Sequence, residues 1–344
     1  MGISVNKYVA SLVAVTALAA CEATPNQIEQ PPTAQAGYGQ EISVLFPSDN
    51  PGSRATLNYD TWSYILRSVV FYMGPSNRKV SAKPVPTTGS RLIYGHDSKF
   101  RLEGNRVRFS VVSNDMKAEL STYRDDLVRV GNEIQIAELS RNEQLAYWMN
   151  LHNAVVIDEI SKNYPVKTPS RINYEPGDAA LDDAKLVTIQ GVALSPRDIR
   201  EKIVYANWSD PKVMYGFFRG EIGGPSIQGI AFSAENVSSL LSAAAREYVN
   251  SLRGVELYRD DLFVSRIYHE ARPYFFPGWP DDLKSHLLDY ADEEVREEIF
   301  ATSSIKEQDY ETDIADLAGG DTSTPRSLVI DLYSGSPVEF GAPP

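Results

Sequence analysis

The stretch from Ser140 to Lys162 constrains the fold of this 344-residue chain more than any other. Ser140 and Glu143 stand in the spacing of a capping box, in which each side chain satisfies the other's backbone amide, so a helix starts here. Behind them Leu145, Trp148, Met149, Val155, Val156 and Ile160 run down a helix that must be long and largely buried. The chain can bury it: 42% of its residues are hydrophobic and 23% charged, ordinary values for a folded protein with ample core.

Other elements follow from spacing and punctuation. Trp62, Ile65, Leu66, Val69 and Val70 predict a helix from Asp60 to Tyr72, and Asn114 to Val130 another. Residues 73–105 read as a long loop excursion, and Val107 to Val111 alternates like a strand. Lys185–Ile189 and Val192–Leu194 flank Gln190-Gly191 as a hairpin, and Ser195-Pro196-Arg197-Asp198 caps a helix with proline in its first turn. Lys212 to Phe218 reads as an inner strand, Ser233-Ala234-Glu235 opens a helix through Leu252, and Leu262–Val264 is a short strand before helices near 281–290 and 292–300. No repeat is present. Irregular mixing of helices and strands predicts one helix-dominant α+β domain with short mixed strands over residues 41–320, followed by a tail at 321–344.

The N-terminus carries an address. Lys7 leads an apolar run from Tyr8 to Ala20, too short to span a hydrocarbon core of ~30 Å but right for a signal peptide over 1–20. Leu18-Ala19-Ala20-Cys21 closes that run and resembles the lipobox of bacterial lipoproteins. The resemblance implies cleavage before Cys21, which then carries a diacylglycerol thioether and an amide-linked acyl chain. Three acyl chains, at ~0.8 kcal/mol per buried methylene, anchor a protein essentially permanently. Residues 21–40, with Pro25, Pro31 and Pro32, read as a flexible tether. Glu22, where inner-membrane retention resembles Asp, points to the periplasmic face of the outer membrane. The partners expected are therefore the bilayer, through Cys21, and a protein or small molecule not identifiable from sequence. Nucleic acid is not expected: 33 basic residues face 46 acidic ones, a net charge of -13.

Cys21 is the only cysteine, so neither an internal disulfide nor a thiolate zinc cluster can form. His96, His152, His269 and His286 lack metal-ligand spacing, and Asp309, Glu311 and Asp313 lack the glycine and glutamate of a calcium loop. No metal or cofactor is expected. A candidate groove remains. Asn150 and Asn153 lie one turn apart on the buried helix and must hydrogen-bond either neighbouring backbone or a ligand. His152 lies between them. Gly220-Glu221-Ile222-Gly223-Gly224-Pro225-Ser226 permits close backbone approach, either for a groove or for a tight turn, and adds Glu221, Gly224 and Ser226. Ser226 is not in a nucleophile elbow.

Five ordered segments resemble the family called domain of unknown function 547. Asn142 to Ala154, reading N-E-Q-L-A-Y-W-M-N-L-H-N-A, is similar to its signature helix. Gly104–Phe109, Tyr164–Lys167, Phe232–Asn236 and Val264–Tyr268 match in order, so the resemblance covers roughly 55–316. It implies a cysteine within an S-C-P stretch where this chain has Gly223-Gly224-Pro225. It also implies tyrosine where His152 stands, and Y-D-W-S-L-N where Tyr310 to Ala315 lie. Glycine cannot be a nucleophile. The expectation is a membrane-anchored envelope lipoprotein whose domain binds a ligand or partner without thiol chemistry. The rival is an envelope hydrolase using Ser226, or a water activated by His152, His269 or Glu221.

Overall fold

The computed structural model describes residues 42, 46, 50–81, 96, 98–302 and 304–320. The signal segment, Cys21, the tether and the tail from 321 lie outside the described residues. Helix α1 (Asp60–Val69) leads through β1 (Val70–Phe71) and β2 (Arg106–Val107) to α2 (Asn114–Glu133) and α3 (Arg141–Asn163). Two short antiparallel pairs follow: β3 (Asn173–Tyr174) with β4 (Ala179–Ala180), and the hairpin β5 (Val187–Ile189) and β6 (Val192–Leu194). A π-helix (Asp198–Tyr205) and a 3-10 helix (Pro211–Gly216) precede α4 (Val237–Val249). The last sheet joins β7 (Val255–Tyr258) antiparallel to β8 (Asp261–Val264) and β8 parallel to β9 (Ser304–Glu307). Between β8 and β9 run α5 (Arg266–Phe275), α6 (Asp281–Tyr290) and α7 (Glu293–Ala301). The fold is α+β with helix dominant, its sheets of two or three strands.

Helix α3 is the axis. Every residue from Glu143 to Ser161 is buried, polar side chains such as Asn150, His152, Asn153 and Asp158 included. Ser140 caps it by accepting from Glu143 N at 3.3 Å. The expected return bond from Glu143 is replaced: its carboxylate accepts from Leu57 N at 3.1 Å, tying the N-terminal segment to the helix start. Helix α2 packs on α3 through Leu120, Tyr123, Leu127 and Val130. Tyr147 donates to the Leu127 carbonyl at 3.0 Å, and a Cβ on Gly131 would stand 2.0 Å from the Tyr147 hydroxyl oxygen, so only glycine allows this approach. One cluster of buried side chains runs from α1 to Ile314 and Ala315.

Two expected strands are helical. The alternation at 107–111 pairs with β1 only through Arg106 and Val107, because β1 ends after two residues; Phe109–Val111 then coils into a 3-10 turn whose Phe109 N is taken by the Asp316 carboxylate at 3.2 Å. At 212–218, Asp210 caps a 3-10 helix by accepting from Lys212 N at 3.0 Å, and Pro211 sets its first turn. A short buried apolar run has no periodicity to separate strand from helix. Helix α5, with Pro273 inside it, was not apparent from the spacing. The hairpin turn is as expected, with Gln190 at φ 49° and Gly191 at φ 82°. The helix after Ser195 begins with a reciprocal box: Ser195 Oγ accepts from Asp198 N at 3.1 Å, and the Asp198 carboxylate accepts from Ser195 N at 2.9 Å.

Candidate functional site

Residues 217–226 are held on one side by a side chain of α3 and on the other by backbone. Asn153 takes Phe218 N at 2.9 Å and donates to the Gly216 carbonyl at 2.9 Å. Opposite, residues 311–315 lie alongside as a strap: Ile222 N donates to Asp313 O, Gly223 N to Glu311 O and Ala315 N to Gly220 O, at 2.7–2.8 Å. Gly220, at φ 80°, approaches α3 so closely that a Cβ would lie 2.1 Å from Ile160 Cδ1. Arg219 and Glu221 flank this glycine and are thereby directed to one side of the segment, where a cavity of about 400 Å³ opens.

The cavity is lined by charge. Arg219, Arg266 and Glu270 form one group: the Glu270 carboxylate receives Arg219 at 2.6 Å and lies 3.3 Å from Arg266 Nε. Across it, Asp182 accepts two bonds of 2.9 Å from the buried Arg200 of the π-helix, and Arg197 reaches Asp183 at 2.8 Å. Burial works against ionisation of Asp182, yet Arg200, Arg219 and Arg197 together hold its carboxyl well below the usual range. Burial likewise opposes the charge of Glu270, but Arg219 keeps it ionised.

Glu221 is different. Burial pushes its carboxyl up to about 6, although hydrogen bonding from Ser170 and the charges of Arg219 and Arg266 pull the other way. Its Oε1 is buried without a hydrogen-bond partner, and it makes no ion pair among the described residues. The Tyr310 hydroxyl is buried and unpartnered as well, and the Arg266 guanidinium lies 4.0 Å from the Tyr310 ring centre. Unsatisfied buried polar atoms cost about 1–3 kcal/mol each, so such a cluster in a native cavity calls for a partner.

The six residues of the expected groove separate. Glu221 lines the cavity. Gly224 is not among the lining residues, although it packs close behind one of them: a Cβ there would stand 3.0 Å from the Tyr310 hydroxyl and 3.5 Å from Arg219 Cβ. His152 bonds through Nδ1 to Asn153 Oδ1 at 3.0 Å; because that oxygen also accepts from Phe218 N, the hydrogen network assigns the proton to Nδ1. Burial, with Arg200 and Arg219 nearby, lowers the His152 pKa to about 3, so the ring is neutral. Asn150 clamps Phe232, donating to its carbonyl at 2.7 Å and accepting from its N–H at 3.0 Å. Both asparagines thus hold backbone. Ser226 lies apart from the cavity, its Oγ taken by Asn105 N at 3.1 Å and Arg253 at 2.9 Å. The histidines pair elsewhere: His96 with the Asp316 carbonyl, His286 with Tyr215, and His269 near Glu307.

Arg219, Arg266, Glu270, Arg200 and Asp182 carry no motif. The one sequence signal for them is Arg219 and Glu221 placed inside the apolar and glycine run Phe217 to Gly224, where charge is costly unless paired. Among the described residues, no group of three or more His, Cys, Asp or Glu could hold a metal ion. No helix among them is long and apolar enough to cross a membrane.

No curated protein and no solved structure matches the chain. The match that does exist is narrower than the 55–316 covered by the resemblance, and it includes α3, the π-helix and α4 together with Arg200, Arg219, Glu221 and Gly224. Residues 136–249 of this chain match the family described as "Protein of unknown function, DUF547", and this stretch carries the domain of unknown function 547.

Proposed function

We propose that this protein is an envelope lipoprotein, anchored through acylated Cys21 and facing the periplasm from the outer membrane, whose domain binds a small polar ligand in the Arg219–Glu221–Glu270 cavity. The observation that carries the ligand reading is the buried, unpartnered Oε1 of Glu221 in a cavity of about 400 Å³ beside two arginines. That volume falls in the range of small-molecule sites, with convergent polar groups fixing orientation. The anchor rests on the sequence Leu18-Ala19-Ala20-Cys21 after its apolar run. With glycine at residue 224, no thiol chemistry is available at that position.

Two measurements test the reading. Palmitate labelling and membrane fractionation of the wild type against Cys21→Ser should show label and membrane residence lost in the variant; unchanged fractionation refutes the anchor. A thermal-shift screen of small metabolites on the wild type and on Arg266→Gln should find ligands that stabilise only the wild type; equal shifts in both refute the cavity as the site.

A hydrolytic reading retains one specific support, the Glu221 carboxyl raised to about 6, the range of a general base near neutral pH. It requires turnover of a ligand found in the screen, abolished by Glu221→Gln. Binding without turnover rejects it.

A further inference from the structure

Charge pairing around the cavity is uneven. Asp182 and Asp183 are occupied by Arg200 and Arg197, and Arg200 also meets Glu201 at 3.0 Å. Arg219 and Arg266, in contrast, share a single carboxylate, Glu270. Glu221 would balance the second guanidinium, but among the described residues it forms no ion pair, and its carboxylate is turned to Ser170 while Oε1 has no hydrogen-bond partner there. The titratable and charged groups around Glu221 are Arg219 on its own segment, Arg266 and Glu270 on α5, Tyr310 just before the strap, and Asp182, Asp183 and Arg197 across the cavity; Ser170, Thr312 and Ile314, which also approach it, carry no charge. Tyr310 is pushed well above its ordinary range by burial and by Glu221, so it stays protonated and can only donate or accept as a hydroxyl. The neutral His152 supplies no proton.

We propose that the cavity takes one carboxylate-bearing ligand against Arg219 and Arg266, and that the ligand enters with a proton taken up by Glu221. This rests on the reading of the cavity as a ligand site. Two guanidiniums sharing one internal carboxylate leave room for one more anion, and planar guanidinium groups suit a carboxylate geometrically. A ligand carboxylate beside an ionised Glu221 would put two like charges in one buried space, which disfavours the ionised form of one of them. Glu221 is the one to yield, since burial already raises its pKa. Protonated, its carboxyl turns from a competitor into a hydrogen-bond donor to the ligand.

The test is titration of the full chain with N-acetylglycine, N-acetylglycinamide and inorganic phosphate, followed by calorimetry or NMR shifts. With Glu221 titrating at about 6, its protonated fraction falls from about nine-tenths near pH 5 to about three-hundredths near pH 7.5, so N-acetylglycine should bind roughly 30-fold more tightly at the lower pH. Glu221→Gln should bind with the low-pH affinity at both values, Arg266→Gln should bind at least tenfold more weakly, and the amide should not bind. The wild-type profile alone suffices if a variant does not fold. A pH-independent affinity, retention of the pH dependence in Glu221→Gln, binding of the amide, phosphate binding in place of the carboxylate, or silence of all probes each overturns the inference. The broader ligand reading is judged separately, by the metabolite screen.

Discussion

Replacing Asn150 by alanine isolates what a buried carboxamide on α3 is for. Asn150 is 1% exposed and makes both of its strong bonds to one residue, donating to the Phe232 carbonyl at 2.7 Å and accepting from the Phe232 N–H at 3.0 Å. Phe232 is buried too, so the truncated side chain leaves a donor and an acceptor with neither protein nor bulk water to satisfy them. At about 1–3 kcal/mol for each orphaned group, the expected loss is about 2–5 kcal/mol. For a domain of this size that is about 4–10 °C in Tm. Urea unfolding should show a lower midpoint at unchanged slope, because the surface exposed on unfolding barely changes. Asn150→Asp keeps the acceptor but sets a carboxylate against the Phe232 carbonyl, and should fare no better. Ligand binding in the still-folded variant should be close to wild type. A midpoint unmoved within about 0.5 kcal/mol, or normal stability with lost binding, would refute the clamp.

Gly224→Ala should cost about 1 kcal/mol, because its Cβ would stand 3.0 Å from the Tyr310 hydroxyl; adding Tyr310→Phe removes an oxygen that has no partner and should recover most of that loss. Additive effects in a double-mutant cycle would count against this steric account. Stability should also fall on acidification from pH 7 to pH 5. Burial depresses His152 to about 3 and His286 to about 4, below their ordinary 6.5, so the unfolded chain takes protons first. Each histidine's contribution is complete above about 6.5 and drains at about 1.4 kcal/mol per pH unit toward its folded value. Glu221, raised from 4.5 to about 6, acts oppositely: its contribution is present below 4.5 and lost as pH rises through 6. The net expectation between pH 7 and 5 is a loss of about 3 kcal/mol, read from urea midpoints; a flat or rising profile would contradict it.

Helix boundaries were legible wherever a cap or a turn pins them. Ser140, Ser195 and the Gln190-Gly191 turn act through their own neighbours, so one segment suffices to read them. The burial of α3 was legible in the run of large apolar residues Leu145, Trp148, Met149, Val155, Val156 and Ile160 along one helix. The need for Asn150 and Asn153 to bond something was equally legible, with backbone the favoured partner over a ligand, and the structure supplies that backbone at Phe232, Gly216 and Phe218. The strand expected at 212–218 failed because a buried run of this length carries no period, while the Asp210 cap and Pro211 start a 3-10 helix there.

Sequence by itself determined the buried central helix, the helix-dominant α+β class and the absence of a thiol at residue 224. Only the tertiary structure decided where the chemistry lies. Arg200, Arg219, Arg266, Asp182 and Glu270 come from four separate stretches, and charges so far apart in the chain have no spacing to betray them. Ser226, two residues from Gly224, faces Arg253 instead of the cavity, while Tyr310, more than eighty residues on, lies against Gly224. Burial and long-range Coulomb forces set the state of Glu221, and both depend on what the folded chain brings around it.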